Sequence, residues 1–170
     1  SLIGPKRFDM PWKRLERSGF IATARCVEMR VPMRPRDRDI YDELPRRDKY
    51  RLAAENPLKL RALLALLEKH KDDRVLVIGL YLRQLARIQA LIRAPMITSK
   101  TSQEERERLY GAFRTGEIDR LIVSKVANFA VDLPDANIAI QVSGTFGSRQ
   151  EEAQRLGRIL RPKRESCETV

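Results

Sequence analysis

The sequence has 170 residues, enough for one domain with a small accessory segment, and such a chain buries roughly 70% of its unfolded surface without disulfide or metal staples. Charged residues make up 34% and apolar ones 42%, which excludes a disordered chain, while a formal charge of +11 points to a polyanionic partner, nucleic acid or an acidic membrane face. One histidine, His70, and two cysteines without framework spacing, Cys26 and Cys167, leave almost no material for a metal site, a histidine-based triad or a disulfide scaffold.

Along the chain, Pro11 to Ser18 has helical character, stopped by Gly19, and IATARCVEMRV (21–31) alternates as a strand that Pro32 ends. Residues 1–55 form an N-terminal extension. Its second half, from Met33 to Glu55, is charged, interrupted by Pro35 and Pro45, and reads as a surface crossing that is helical only in pieces. Residues 56–170 follow a different grammar. Asn56-Pro57 is a helix cap with proline at the first helical position, opening LKLRALLALLEKH. RVLVIG is a short β-branched run, the pattern of a strand covered on both faces. Leu82, Leu85, Ile88 and Ile92 recur at helical spacing, and a brief PMI strand follows. Thr101 with Glu104, or Ser102 with Glu105, then caps a helix reaching about Arg114. RLIVSKV is the next buried strand. A loop through Asp132-Leu133-Pro134 leads to the strand NIAIQV, and Ser148 with Glu151 caps a final helix that runs to Arg161 and stops at Pro162.

Strands joined by helical crossovers predict an α/β fold, a parallel sheet with helices on both faces. Ligands of such sheets gather at the carboxyl ends of the strands. Three polar segments fall there: TSKTSQ, SKVANFAVDLP and SGTFGSRQ. Lys100 and Thr101 sit at a helix N-terminus with the hydroxyls, backbone donors and charge of a phosphate seat, although an ordinary helix cap would use the same residues. Ser124-Lys125 ends a buried strand. Asp132 suits a ribose hydroxyl, a metal-bound water or a simple turn cap. In the last helix Gln154, Arg158 and Arg161 share one face. Arginines there are favoured by the helix dipole alone, but Gly157 costs roughly 1 kcal/mol inside a helix, which argues for close approach at that point. Paired guanidinium forks suit phosphate oxygens.

Taken together, LIVSKVANFAVDLPDANIAIQVSGTFGSRQEEAQRLGRILRPK resembles motifs V and VI of the XPB family of superfamily-two helicases, nearest to its bacterial and archaeal members. VLVIGLYLRQLARIQALI resembles the motif IV segment, ITSKTSQEERERLYGAF the segment after it, and SLIGPKRFDMPWKRLERSGFIATA the stretch that follows motif III. The resemblance covers almost the whole chain. It implies a RecA-like second helicase domain, with the first domain, its phosphate loop and its acidic box preceding Ser1. It also implies ATP with Mg2+ held mainly by that first domain, Arg161 as the arginine finger, Arg158 as a second γ-phosphate contact, and Gln154 positioning nucleotide or water. Asp132 and Gly157 would serve the nucleotide side of the cleft, and Lys100, Thr101, Ser124 and Lys125 would grip the DNA backbone. Ser99 stands where many relatives have glycine, and Asn128 replaces an aspartate common in eukaryotic relatives, so no role is carried onto it.

The implied partners are DNA, single-stranded or forked, the N-terminal helicase domain of the same protein, and a repair nuclease. Repair or transcription-linked opening is the implied setting, on the nucleoid in a prokaryotic cytoplasm. No membrane is expected, because the longest apolar run, VLVIGLYL, is too short to span one. SLIGPKRFDM lacks the apolar core of a signal peptide, so the expectation is a segment of a longer protein, inactive on its own. The competing expectation is a non-catalytic basic module that docks DNA or a nuclease through the charged 33–55 region.

Overall fold

The computed structural model describes residues 27–124 and 136–143. The expected helix at 11–18, the loop through Asp132 and the final helix to Arg161 lie outside these residues. Residues 27–34 carry no regular structure. The part of the predicted strand that falls here, Val27 to Val31, is therefore not a strand. Val27 and Met29 are largely exposed and pair with no strand among the described residues. Alternation of apolar residues supplies a face for burial but not the hydrogen-bonded neighbour that a strand needs.

Two short helices follow, α1 (Pro35–Glu43) and α2 (Arg46–Ala54). Proline begins each: Pro35 occupies the first helical position of α1 and Pro45 is the N-cap of α2. α1 buries no residue and α2 only Ala54, as a surface crossing should. α3 (Pro57–Lys69) starts at Asn56, whose Oδ1 accepts from the Leu58 backbone N–H at 3.0 Å. The same amide donates through Nδ2 to the Pro32 carbonyl at 2.9 Å, so one buried side chain caps α3 and ties the extended 27–34 segment to the domain. Asn56→Ala should lower stability by about 1–2 kcal/mol in urea unfolding. Asn56→Asp, which keeps the capping acceptor and loses the donor to Pro32, should recover part of that loss.

The sheet contains β1 (Val75–Gly79), β2 (Met96–Ile97), β3 (Arg120–Ser124) and β4 (Ile138–Gln141) in the order β2-β3-β1-β4, every pairing parallel. β1 is central and buried at all five positions, as its unbroken β-branched run predicts. Because side chains alternate along a strand, β1 feeds two cores. Val75 and Val77 meet Leu63 and Leu67 of α3 and Leu85 and Ile88 of α4 (Leu82–Ile92). Leu76 and Ile78 meet Leu109, Tyr110 and Phe113 of α5 (Gln103–Thr115) on the opposite face. Helices thus cover both faces. α5 begins at Ser102, whose hydroxyl accepts from the Glu105 N–H at 3.2 Å, which selects the Ser102–Glu105 register over Thr101–Glu104. It ends at Gly116, left-handed at φ 83°.

In α4 the buried face differs from the one expected. Leu82 is 50% exposed and Gln84 only 6%, beside buried Leu85 and Ile88. At 3.6 residues per turn, Leu82 lies roughly 110° round the helix from the centre of that face.

Candidate functional site at the carboxyl edge of the sheet

Three strands end side by side on one edge. The register pairs Gly79 of β1 with Ser124 of β3 and Ile78 of β1 with Gln141 of β4. Ser124 is 2% exposed, and its hydroxyl has no hydrogen-bond partner among the described residues. A buried hydroxyl without a partner is costly.

The loop after β2 is built largely by its own side chains. Thr101 Oγ1 accepts from the Thr98 N–H at 2.9 Å, and Thr98 Oγ1 accepts from the Lys100 N–H at 3.2 Å. The Thr101 N–H closes the turn on the Thr98 carbonyl at 3.2 Å, and Arg106 Nη2 donates to the Thr101 carbonyl at 3.4 Å. Since the Thr101 hydroxyl serves as acceptor inside the loop, its own proton remains to be donated outward. Lys100 is exposed beside it. Loop backbone donors that a phosphate seat would use are thus partly engaged, which leaves the Thr101 hydroxyl and the Lys100 ammonium as the groups suited to a backbone phosphate.

The exit of β4 forms a second polar cluster. Gln84 Nε2 donates to the Ala54 carbonyl at 2.7 Å and to the Val142 carbonyl at 3.3 Å. Lys59 Nζ donates to the same Val142 carbonyl at 3.3 Å, and burial pushes its ammonium below the usual lysine range. Ser143, 3% exposed, accepts at Oγ from the Leu80 N–H at 2.7 Å. Gly79 makes room for this arrangement. A Cβ there would stand 2.6 Å from Leu85 Cδ2, 3.1 Å from Val142 Cγ2 and 3.2 Å from Ser143 Oγ.

Of the residues singled out in the sequence, Lys100 and Thr101, in the loop after β2, and Ser124, the last residue of the neighbouring β3, lie on this edge. Lys125, Asp132, Gln154, Gly157, Arg158 and Arg161 lie outside the described residues. Gln84 and Lys59 were not foreseen. The one signal available was a glutamine flanked by apolar positions of α4, which reads equally as solvent face. Among the described residues, no group of three or more His, Cys, Asp or Glu could hold a metal ion, and no helix is long and apolar enough to cross a membrane.

Comparison with known proteins places this geometry. The family model described as ERCC3/RAD25/XPB C-terminal helicase matches residues 15–170. The chain is 55% identical to the DNA 3'-5' helicase XPB of Mycobacterium tuberculosis over 96% of its own length and 30% of that protein's. It is 38% identical to the general transcription and DNA repair factor IIH helicase/translocase subunit XPB1 of Arabidopsis thaliana, over 95% of this chain and 22% of that one. The chain therefore spans about a third or less of the length of these relatives. Among solved structures, the Sulfolobus solfataricus SWI2/SNF2 ATPase C-terminal domain shares the fold with a TM-score of 0.53 at 13% identity, covering 65% of this chain and 68% of that one. The yeast DEAD-box splicing factor Prp28 does so with a TM-score of 0.53 at 20% identity, over 59% of this chain and 23% of that one. The parallel sheet flanked by helices is thus a RecA-like fold, and the chain belongs to the ERCC3/RAD25/XPB C-terminal helicase family.

Proposed function

We propose that this chain is the second motor domain of an ATP-dependent DNA helicase or translocase, working in repair or in transcription-linked opening. Family membership over residues 15–170 carries the reading, and the polar edge of the sheet supports it. Two groups of residues divide the work. Lys100, Thr101, Ser124 and Lys125 hold the backbone of the tracked strand. Arg161 and Arg158 face the triphosphate across a cleft closed by a first helicase domain, with Gln154 positioning nucleotide or water and Asp132 and Gly157 on the same side. ATP with Mg2+ supplies the γ-phosphoryl group whose transfer drives the cycle. The arginines add positive charge where negative charge develops, and their approach depends on closure of the two domains.

The test is reconstitution. This chain alone should hydrolyse no ATP, and joining it to a first helicase domain should produce DNA-stimulated turnover. Binding of single-stranded DNA by the joined protein should weaken with salt. Lys100→Ala should reduce the slope of log K against log salt by about 0.7, the amount of one phosphate contact on a single strand. An unchanged slope would remove Lys100 from the interface.

The reading of a non-catalytic basic dock has less to stand on. From Arg34 to Glu55 seven basic residues face six acidic ones, a near balance. Several of those charges neutralise one another within α1 and α2, such as Arg34 with Asp37 at 2.8 Å and Arg51 with Glu55 at 3.3 Å. A repair nuclease as partner belongs to this reading, and would be tested by charge reversal at Arg34, Arg36 and Arg38 with the motif VI arginines left intact.

A further inference from the structure

We propose that Thr98 is a positioning residue for the nucleic-acid contact: it touches no DNA itself, but fixes the loop of residues 98–101 so that Lys100 and Thr101 are presented to a backbone phosphate. This role rests on the reading of Lys100 and Thr101 given under the proposed function, and deepens it. β2 supplies only Met96 and Ile97, at the edge of the sheet, and Ile97 is fully buried. α5 starts from its cap at Ser102. The chain therefore has only residues 98 to 101 in which to leave the core, expose Lys100 and turn into a helix. Ser99 and Lys100 are exposed, while Thr98 and Thr101 are half-buried.

Thr98 closes this turn almost alone. Its N–H donates to Thr101 Oγ1 at 2.9 Å, and its carbonyl accepts from the Thr101 N–H at 3.2 Å. Its hydroxyl accepts from the Lys100 N–H, also at 3.2 Å. Ser99 makes no hydrogen bond among the described residues. The bond that reaches the loop from outside, Arg106 Nη2 to the Thr101 carbonyl, is long at 3.4 Å. None of these bonds caps α5, because Ser102 already does so through the Glu105 N–H. The Thr98 hydroxyl thus serves the shape of the loop and not the helix. It is also the one side-chain group that holds the Lys100 backbone.

Position matters here because of the charges that follow. Glu104 and Glu105 occupy the first turn of α5 and offset the positive end of its dipole, so a phosphate is drawn by Lys100 and not by the helix. Glu105 is paired with Arg108 at 2.8 Å. Lys100 and Glu104 form no ion pair among the described residues, although only four positions separate them. A lysine head on its flexible four-carbon stem has such a carboxylate within reach. With its N–H tied to Thr98, Lys100 stays clear of Glu104 and open to a phosphate. Loss of the Thr98 hydroxyl releases that N–H and lets the turn relax.

The experiment uses this chain joined to a first helicase domain, and follows binding of a single-stranded oligodeoxynucleotide by fluorescence anisotropy over a salt series. Thr98→Val, which keeps the shape and removes the hydroxyl, should weaken binding by about two- to tenfold, the scale of one hydrogen bond. It should also lower the slope of log K against log salt by up to about 0.7, although no charge is changed, because Lys100 leaves its phosphate. A merely structural loss would reduce the folded fraction and leave the slope as it was. Thr98→Ser, which keeps the acceptor, should match the wild type in slope and lie within about twofold in affinity. In a Lys100→Ala background Thr98→Val should lower the slope no further. The kcat for ATP at saturating DNA should stay within about twofold, while the DNA concentration for half-maximal stimulation rises with Kd. Circular dichroism melts check folding, and if Thr98→Val fails to fold, Thr98→Ala is read in the same way. The proposal is overturned if the folded variant keeps the wild-type slope, if Thr98→Ser binds as weakly as Thr98→Val, or if the slope falls again in the Lys100→Ala background. An unchanged slope in Lys100→Ala alone is a different result: it sinks the phosphate seat, and the role of Thr98 goes with it.

Discussion

Arg161→Ala, in a protein that joins this chain to a first helicase domain, is expected to lower DNA-stimulated ATP turnover by about 10³- to 10⁵-fold, the effect of removing an arginine finger from other phosphoryl-transfer sites. The physical reason is the timing of charge. Negative charge on the transferred phosphoryl group and the leaving oxygen grows only in the transition state, and a guanidinium fork delivered by domain closure meets it in a site from which water has been excluded. KM for ATP should change far less than kcat, since the proposal gives most ground-state contacts to the first helicase domain. Arg161→Lys should recover little, because an ammonium cannot make the paired, planar contact. Steady-state kinetics with saturating DNA is the measurement. Retention of more than about a tenth of the wild-type kcat would remove Arg161 from the chemistry.

Phe113→Ala is the largest stability change expected in the described part of the fold. The ring is fully buried on α5 among Leu76, Ile78, Ile97, Leu121 and Val123. Truncation removes its transfer free energy and leaves a void that the facing sheet cannot fill, for a loss of about 3–5 kcal/mol. The whole stability of a domain is only about 5–15 kcal/mol. Leu64→Ala, on the 40% exposed outer side of α3, should cost far less and serves as the control. Both are read as shifts of the urea midpoint at constant m-value.

How much of this could be read in advance depends on which force dominates each residue. β1 and β3 were legible because strands buried on both faces must be apolar at nearly every position, and RVLVIG and RLIV are. Asn56 was legible because its cap is local, decided by residues within one turn. Residues 27–31 misled, since alternation is equally consistent with an extended segment that is held only by its ends. Thr101 and Ser124 were placed correctly at strand ends once the βα order was fixed. Gln84 and Lys59 were invisible for the opposite reason. Their partner, the Val142 carbonyl, is 58 and 83 residues away in sequence, and a backbone carbonyl leaves no mark in the residue types.

The strand order has one more consequence. Neighbouring strands stand about 4.8 Å apart, so the carboxyl ends of β2 and β3 are side by side while the exit of β4 lies about 14 Å from β2, on the far side of β1. The groups suited to a nucleic-acid phosphate occupy one flank, and the Val142 carbonyl with its donors Gln84 and Lys59 occupies the other. Any tilt of the sheet about its middle strand would raise one flank as it lowers the other. On this plan β1 is the fulcrum of the sheet, and a push on the flank that carries Lys100 and Thr101 would reach the exit of β4 as a movement of opposite sense.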